Sequence, residues 1–128
     1  MGKIIYSALF VDNVGELKLM FPPVFPNEFY HHSTIEFNPP DANNIEVGKK
    51  TLLSIIGRIT TDKVDALVVK NPKSKNSNPH ITLSTTIGVK PFESNVALAN
   101  HPNLIKMFDS PLYIDVTEGY FENGRDVK

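Results

Sequence analysis

The chain predicts an α+β fold, on three observations. Apolar and β-branched residues gather in short runs bounded by turn residues, over 3–11, 30–37, 51–60, 64–70, 80–86 and 112–121. Only two stretches, 14–21 and 93–101, carry apolar residues at helical spacing. One tetrapeptide form occurs twice, His32-Ser33-Thr34-Ile35 and His80-Ile81-Thr82-Leu83, 48 residues apart. At 128 residues the chain suits a single domain over 1–128 with a core of its own.

Residues 3–11 are rich in β-formers and predict a buried first strand. Val14, Leu17 and Met20 or Phe21 fall at helical spacing, with a second strand as the alternative. Pro22, Pro23 and Pro26 close that segment, and 22–30 reads as an ordered loop. Tyr30 to Phe37 is a strand with Ile35 and Phe37 on one face and His32, Thr34 and Glu36 on the other. Asn38-Pro39-Pro40-Asp41 ends it, and 41–48 reads as a loop. Thr51–Thr60, bulged at Gly57, and Val64–Lys70 form a hairpin turning at Asp62-Lys63. Residues 71–79 contain no large apolar side chain and predict a mobile surface loop delivering His80. After the strand 80–86, Glu93–His101 predicts a short helix. Ser94 or Asn95 is its cap, and Val96, Leu98 and Ala99 form its buried side. His101, just before Pro102, is placed to serve the terminal carbonyls. Leu112–Phe121 is the last strand, with Leu112, Ile114 and Val116 on one face, and the polar tail 122–128 predicts a flexible end.

Bulk properties narrow the chemistry. The net charge of −1 argues against a broad basic surface for duplex nucleic acid. The absence of cysteine removes disulfides, thiolate nucleophiles and Cys-based zinc sites. His31, His32 and His80 lack helical metal-ligand spacing, so neither a metal nor another cofactor is expected. The N-terminal apolar run is too short to span a membrane, and Asp12-Asn13 follows where a signal peptide would be cleaved. A cytoplasmic protein with no membrane partner is the expectation.

On a strand, residues i and i+2 share a face, so each tetrapeptide presents an imidazole beside a hydroxyl. Two such strands side by side place two imidazoles and two hydroxyls in one volume. That set suits in-line chemistry at phosphorus, one imidazole as base and one as acid. His31-His32-Ser33 also fits His-x-Ser. Its next residue, however, is Thr34 rather than an apolar one, and His31 would share the core-facing side of Ser33 and Ile35.

The paired His-x-Thr-apolar segments resemble the signature of the two-histidine (2H) phosphoesterase superfamily. The likeness is greatest to the cyclic phosphodiesterase domain of tRNA ligases and to LigT-like proteins. Tyr30-His31-His32-Ser33-Thr34, Asn78-Pro79-His80-Ile81-Thr82-Leu83, Gly88-Val89-Lys90-Pro91 and Ser94-Asn95 carry the likeness. The resemblance implies two pseudo-symmetric lobes of antiparallel strands with a few outer helices, one motif from each lobe and the phosphate between them. It implies hydrolysis of RNA 2′,3′-cyclic phosphate ends, or of a small cyclic nucleotide, without metal. Thr34 and Thr82 would hold the phosphoryl oxygens. His80 as base and His32 as acid follow from members that leave a 2′-phosphate; the residues themselves leave the two roles open.

For a nucleobase, Tyr6, Phe10, Tyr30 and Tyr113 are the candidate stacking residues, and Lys90 and the Lys73/Lys75 loop are candidate phosphate attractors. Three other outcomes stand beside the RNA-end hydrolase. One is cleavage of cyclic or 2′–5′-linked oligonucleotide signals, as in a viral anti-defence protein. Another is a non-catalytic module that binds a nucleotide or RNA end. The last is a structural domain in which the histidines only pack.

Overall fold

The apolar run after Lys3 forms β1 (Ile4–Val11), an inner strand of one antiparallel sheet. The computed structural model describes residues 3–128; Met1 and Gly2 lie outside the described residues. Asn13 caps α1 (Val14–Met20) by accepting the Glu16 N–H at 2.9 Å, so the helix and not the alternative strand forms. It stops at Phe21, before the two prolines. Then come β2 (Asn27–Glu28), β3 (His32–Phe37), β4 (Lys50–Thr60), β5 (Val64–Lys70) and β6 (His80–Thr85). α2 (Glu93–Asn100), a 3-10 turn (Pro102–Leu104), β7 (Lys106–Glu122) and β8 (Arg125–Val127) complete the chain.

The result is a mixed α+β domain, with eight strands and two α-helices among the described residues. The strand order is β2-β6-β5-β4-β7-β1-β3, with β8 added to β7, and every neighbouring pair is antiparallel. β4 and β7 lie at the middle. Outward from β7 come β1 and then β3; outward from β4 come β5 and then β6. The two motif strands therefore occupy matching places in the two halves.

The main core gathers one face of every long strand: Leu9, Val11, Ile35, Leu53, Ile55, Leu67, Ile81, Leu83, Ile114 and Val116, closed by Leu17, Phe21 and Tyr30. A second cluster, Ile59, Val64, Ala66, Ala97 and Leu98, seats α2 on the opposite face of β4 and β5. α2 thus buries Ser94, Ala97 and Leu98, whereas the expected Ala99 is exposed. The expected irregularity at Gly57 is present as a register shift between Ile55 and Gly57 against both neighbours. β7 is longer than the alternation predicts. Asp109-Ser110-Pro111 interrupts the apolar pattern at the same irregularity, and pairing resumes at Met107. No helix among the described residues is long and apolar enough to cross a membrane.

Candidate active site

Both motifs share a backbone device. β3 pairs with β1 through Phe10↔His32 and Ala8↔Thr34, then resumes at Ser7↔Glu36, leaving Ile35 unpaired. β6 pairs with β5 through Val68↔His80 and Ala66↔Thr82, then resumes at Asp65↔Ser84, leaving Leu83 unpaired. The apolar fourth residue of each motif is thus a β-bulge whose side chain enters the core. A bulge reverses the alternation beyond it. Phe37 therefore lies on the side of His32 and Thr34, opposite Tyr6, and not with Ile35 as simple alternation predicts.

The segment leading into each motif is tied to the strand of the other. Phe29 N–H donates to Leu83 O at 2.8 Å and Tyr30 N–H to Thr82 O at 3.1 Å. Lys75 N–H donates to Ile35 O at 2.7 Å, and Ser74 Oγ to Thr34 O at 2.8 Å. The segment 71–79, expected to be mobile, is anchored. Asn71 is buried with its amide on Ser33 Oγ, Asn76 bonds Asn95, and Lys73 reaches Glu118 at 2.7 Å. Asn71, Ser74 and Asn76 thus bond to protein partners and hold the segment in place.

These ties bring His32, Thr34, His80 and Thr82 onto one cavity of about 570 Å³. Tyr6, Phe29, Phe37, Phe92 and Phe121 supply its aromatic wall, and Glu28, Asn76 and Asn95 its remaining polar edge. Neither lysine nor arginine is among the residues lining it.

The other predicted contacts divide. Tyr6 is in the cavity, its ring stacked on His32 at 4.5 Å between centroids. Phe10 is fully buried and packs edge-on against His31, so it supports the histidines and offers no free face. Tyr30 is also fully buried, its hydroxyl donating to Phe21 O at 2.6 Å, which corrects its assignment as a stacking residue. Tyr113 is exposed on β7 beside Ser54 and does not line the cavity. Lys90 is exposed and outside the lining set, and Lys75 is paired with Glu36 at 3.3 Å.

His80 Nδ1 lies 2.7 Å from Asn78 O. A carbonyl only accepts, so Nδ1 carries the proton and Nε2 holds the free lone pair. Burial lowers the His80 pKa, and the bond to Asn78 opposes the shift. The Thr82 hydroxyl lies 2.7 Å from Ser94 Oγ, on the first turn of α2. Ser94, expected as a cap, instead orients this hydroxyl. Thr34 Oγ1 has no hydrogen-bond partner among the described residues and remains open to a ligand.

His32 is held neutral: burial, and then the charges that His31 and His80 can carry, push its pKa down to about 3. His31 does not turn to the core. Tyr30 has φ of 52°, in the left-handed region, so the strand alternation does not reach back to His31. The ring of His31 lines the cavity, with Nδ1 2.8 Å from His32 Nδ1 and Nε2 2.7 Å from Asp126 Oδ2. Asp126 belongs to the tail expected to be flexible. Asn123 and Gly124 have φ of 53° and 76°, and they turn the chain back so that β8 pairs with β7. The Asn-Gly pair was the available sequence signal for this hairpin, and hence for Asp126.

One consequence is measurable without any ligand. An unfolded histidine takes up a proton near its ordinary pKa of 6.5, whereas folded His32 does so only near 3. Between these values the unfolded state binds more protons, so stability rises with pH and is lost as the pH falls from about 6.5 towards about 3. His32 should account for roughly 2–3 kcal/mol of loss between about pH 7 and pH 4.5. His80 acts in the same direction. Urea unfolding against pH should show a shallower acid-side slope in His32→Gln than in the parent; identical slopes would refute the assignment.

Compared with protein-family models and with curated proteins, the chain matches none.

Proposed function

We propose that this chain hydrolyses a phosphodiester by the two-histidine mechanism. The substrate class is an RNA 2′,3′-cyclic phosphate end or a small cyclic nucleotide. The observation that carries the reading is the meeting of two His-x-Thr pairs, from matching strands of one sheet, on a single cavity. The matching halves of the sheet and the two motif bulges support the two-lobed family fold.

His80 suits the base. Its Nδ1–H is engaged by Asn78 O, and its Nε2 is free to take a proton from water. The hydroxide oxygen attacks phosphorus, the bond from phosphorus to the ribose oxygen breaks, and the His32 side supplies a proton to that oxygen. Thr34 and Thr82 donate to the non-bridging oxygens as charge builds there. A fixed donor of this type can contribute on the order of 3 kcal/mol in the transition state. A lining without lysine or arginine and an aromatic wall favour a singly charged diester carrying one base over an extended RNA, whose phosphates need lysine and arginine.

The test is a panel of nucleoside 2′,3′-cyclic phosphates, RNA with a cyclic phosphate end, cyclic dinucleotides and 2′–5′ oligoadenylates, followed by phosphorus NMR. Turnover of the cyclic phosphates, unchanged by EDTA, is expected. Turnover confined to the last two groups would move the function to signal degradation. Binding without turnover would make the chain a nucleotide-binding module.

A further inference from the structure

Behind His32 the chain builds an array that the two-histidine reaction alone does not require. Two ring nitrogens, His31 Nδ1 and His32 Nδ1, face one another at 2.8 Å with the rings perpendicular. A nitrogen pair at that distance needs one proton between them. On its far side His31 presents Nε2 to Asp126 at 2.7 Å. β8 reaches this position because the Asn123-Gly124 turn folds it back and because Gly119 has no side chain where the Val127 carbonyl packs on β7.

We propose that Asp126 and His31 form a proton relay behind His32, so that the leaving oxygen receives a proton that originates on His31. The inference rests on the hydrolase reading. A half-buried ring held neutral cannot serve as a cationic acid, and the relay removes that difficulty. In the loaded state His31 carries protons on both nitrogens, one donated to Asp126 and one to His32 Nδ1. His32 is then neutral with its proton on Nε2. As the bond from phosphorus to the ribose oxygen breaks, His32 Nε2–H passes to that oxygen and His31 Nδ1–H passes to His32 Nδ1. His32 stays neutral throughout and only exchanges tautomers. His31 ends neutral, still bonded to Asp126, and His80 holds the proton taken from water. His80 loses that proton to solvent; His32 Nε2 takes up another, His32 Nδ1–H passes back to His31 Nδ1, and the start is restored. Asp126 is a positioning residue and His31 a relay residue.

The other titratable groups around the array are Tyr6 from β1, His80 from β6 and Glu28 from β2 across the cavity. Lys128 lies over the Phe10 ring at 5.3 Å. Tyr6 remains a neutral phenol, its pKa raised by burial and then by the Asp126 charge; its hydroxyl lies 3.4 Å from His32 Nδ1, against 2.8 Å for His31 Nδ1, so the shorter contact takes the Nδ1 lone pair.

The experiment compares the full chain with His31→Gln and Asp126→Asn on two diesters. Uridine 2′,3′-cyclic phosphate expels an alkoxide that needs a proton; bis(4-nitrophenyl) phosphate expels a phenolate that does not. Gln at 31 can still donate one hydrogen bond to His32 but cannot resupply a proton. On the cyclic phosphate, kcat should fall about 10²-fold or more and the alkaline limb of its pH profile should vanish. On the nitrophenyl ester the fall should stay under about threefold. Asp126→Asn should show the same selective loss, lowering kcat on the cyclic phosphate and sparing the nitrophenyl ester. Equal losses on both esters would overturn the relay. Nitrogen NMR of the side chains gives a second reading that does not need turnover. As His31 loses its second proton, His32 should switch from the Nε2–H to the Nδ1–H tautomer, and a single tautomer across that titration would overturn the relay. A parent chain that hydrolyses neither ester would overturn the hydrolase reading itself, whatever the spectra show.

Discussion

His80→Ala should lower turnover of a nucleoside 2′,3′-cyclic phosphate by between about 10²- and 10⁴-fold, and His32→Ala should do the same. Each removes one end of the in-line proton transfer: the free Nε2 that takes the proton from water, or the ring that hands one to the leaving oxygen. The double variant should lose much less than the product of the two single losses, because groups acting as a unit are not additive. Thr34→Val should cost more than its size suggests, since Thr34 Oγ1 has no other partner among the described residues. Ser94→Ala should weaken Thr82 indirectly by releasing its hydroxyl. The measurement is kcat with folding checked by circular dichroism. Full turnover in either histidine variant would end the two-histidine mechanism. Loss of stability with no effect on any ligand would return both rings to a packing role.

Arg58→Met should destabilise the fold by about 3–5 kcal/mol without touching the cavity directly. Asp65 is fully buried, and its carboxylate accepts from Arg58 Nε at 2.9 Å, Arg58 Nη2 at 2.7 Å and Thr60 Oγ1 at 2.8 Å. Removing the guanidinium strands a charge away from water, which costs more than the pair itself contributes. Asp65 sits opposite Ser84, directly beside the Leu83 bulge, so the pair clamps the sheet where the second motif bends. The double variant Arg58→Met/Asp65→Leu should recover a large part of the loss, since no charge is then left unpaired. Urea midpoints decide it. A loss below about 1 kcal/mol in the single variant would show that the pair behaves as an exposed one.

The strands and the site differ in how far they can be read from residues. Alternation over 51–60 and 64–70, with turn residues between, places the β4–β5 hairpin, because a strand's period depends only on its own side chains. The same rule puts His32 with Thr34, and His80 with Thr82, on common faces. It fails at Phe37, where the bulge at Ile35 reverses the faces, and at His31, where Tyr30 leaves the extended region. Tyr6 and Tyr30 are alike as sequence, yet one stacks on His32 and the other closes the core on Phe21 O. Composition misleads in 71–79 and 122–128. Polar residues are compatible with solvent, and equally with hydrogen bonds that only a distant strand can supply.

By itself the sequence determined the strand periods, the hairpin, the helix after the second motif and the residue types able to move protons at phosphate. These are local properties, set within a few residues by side-chain shape and backbone preference. Tertiary structure alone decided that the motif strands hold matching places in one sheet, that each lead-in segment binds the other motif, and that Asp126 stands behind His31. Those are contacts between residues up to 95 positions apart, and they exist only once register and bulges have been chosen by the packing of the whole sheet.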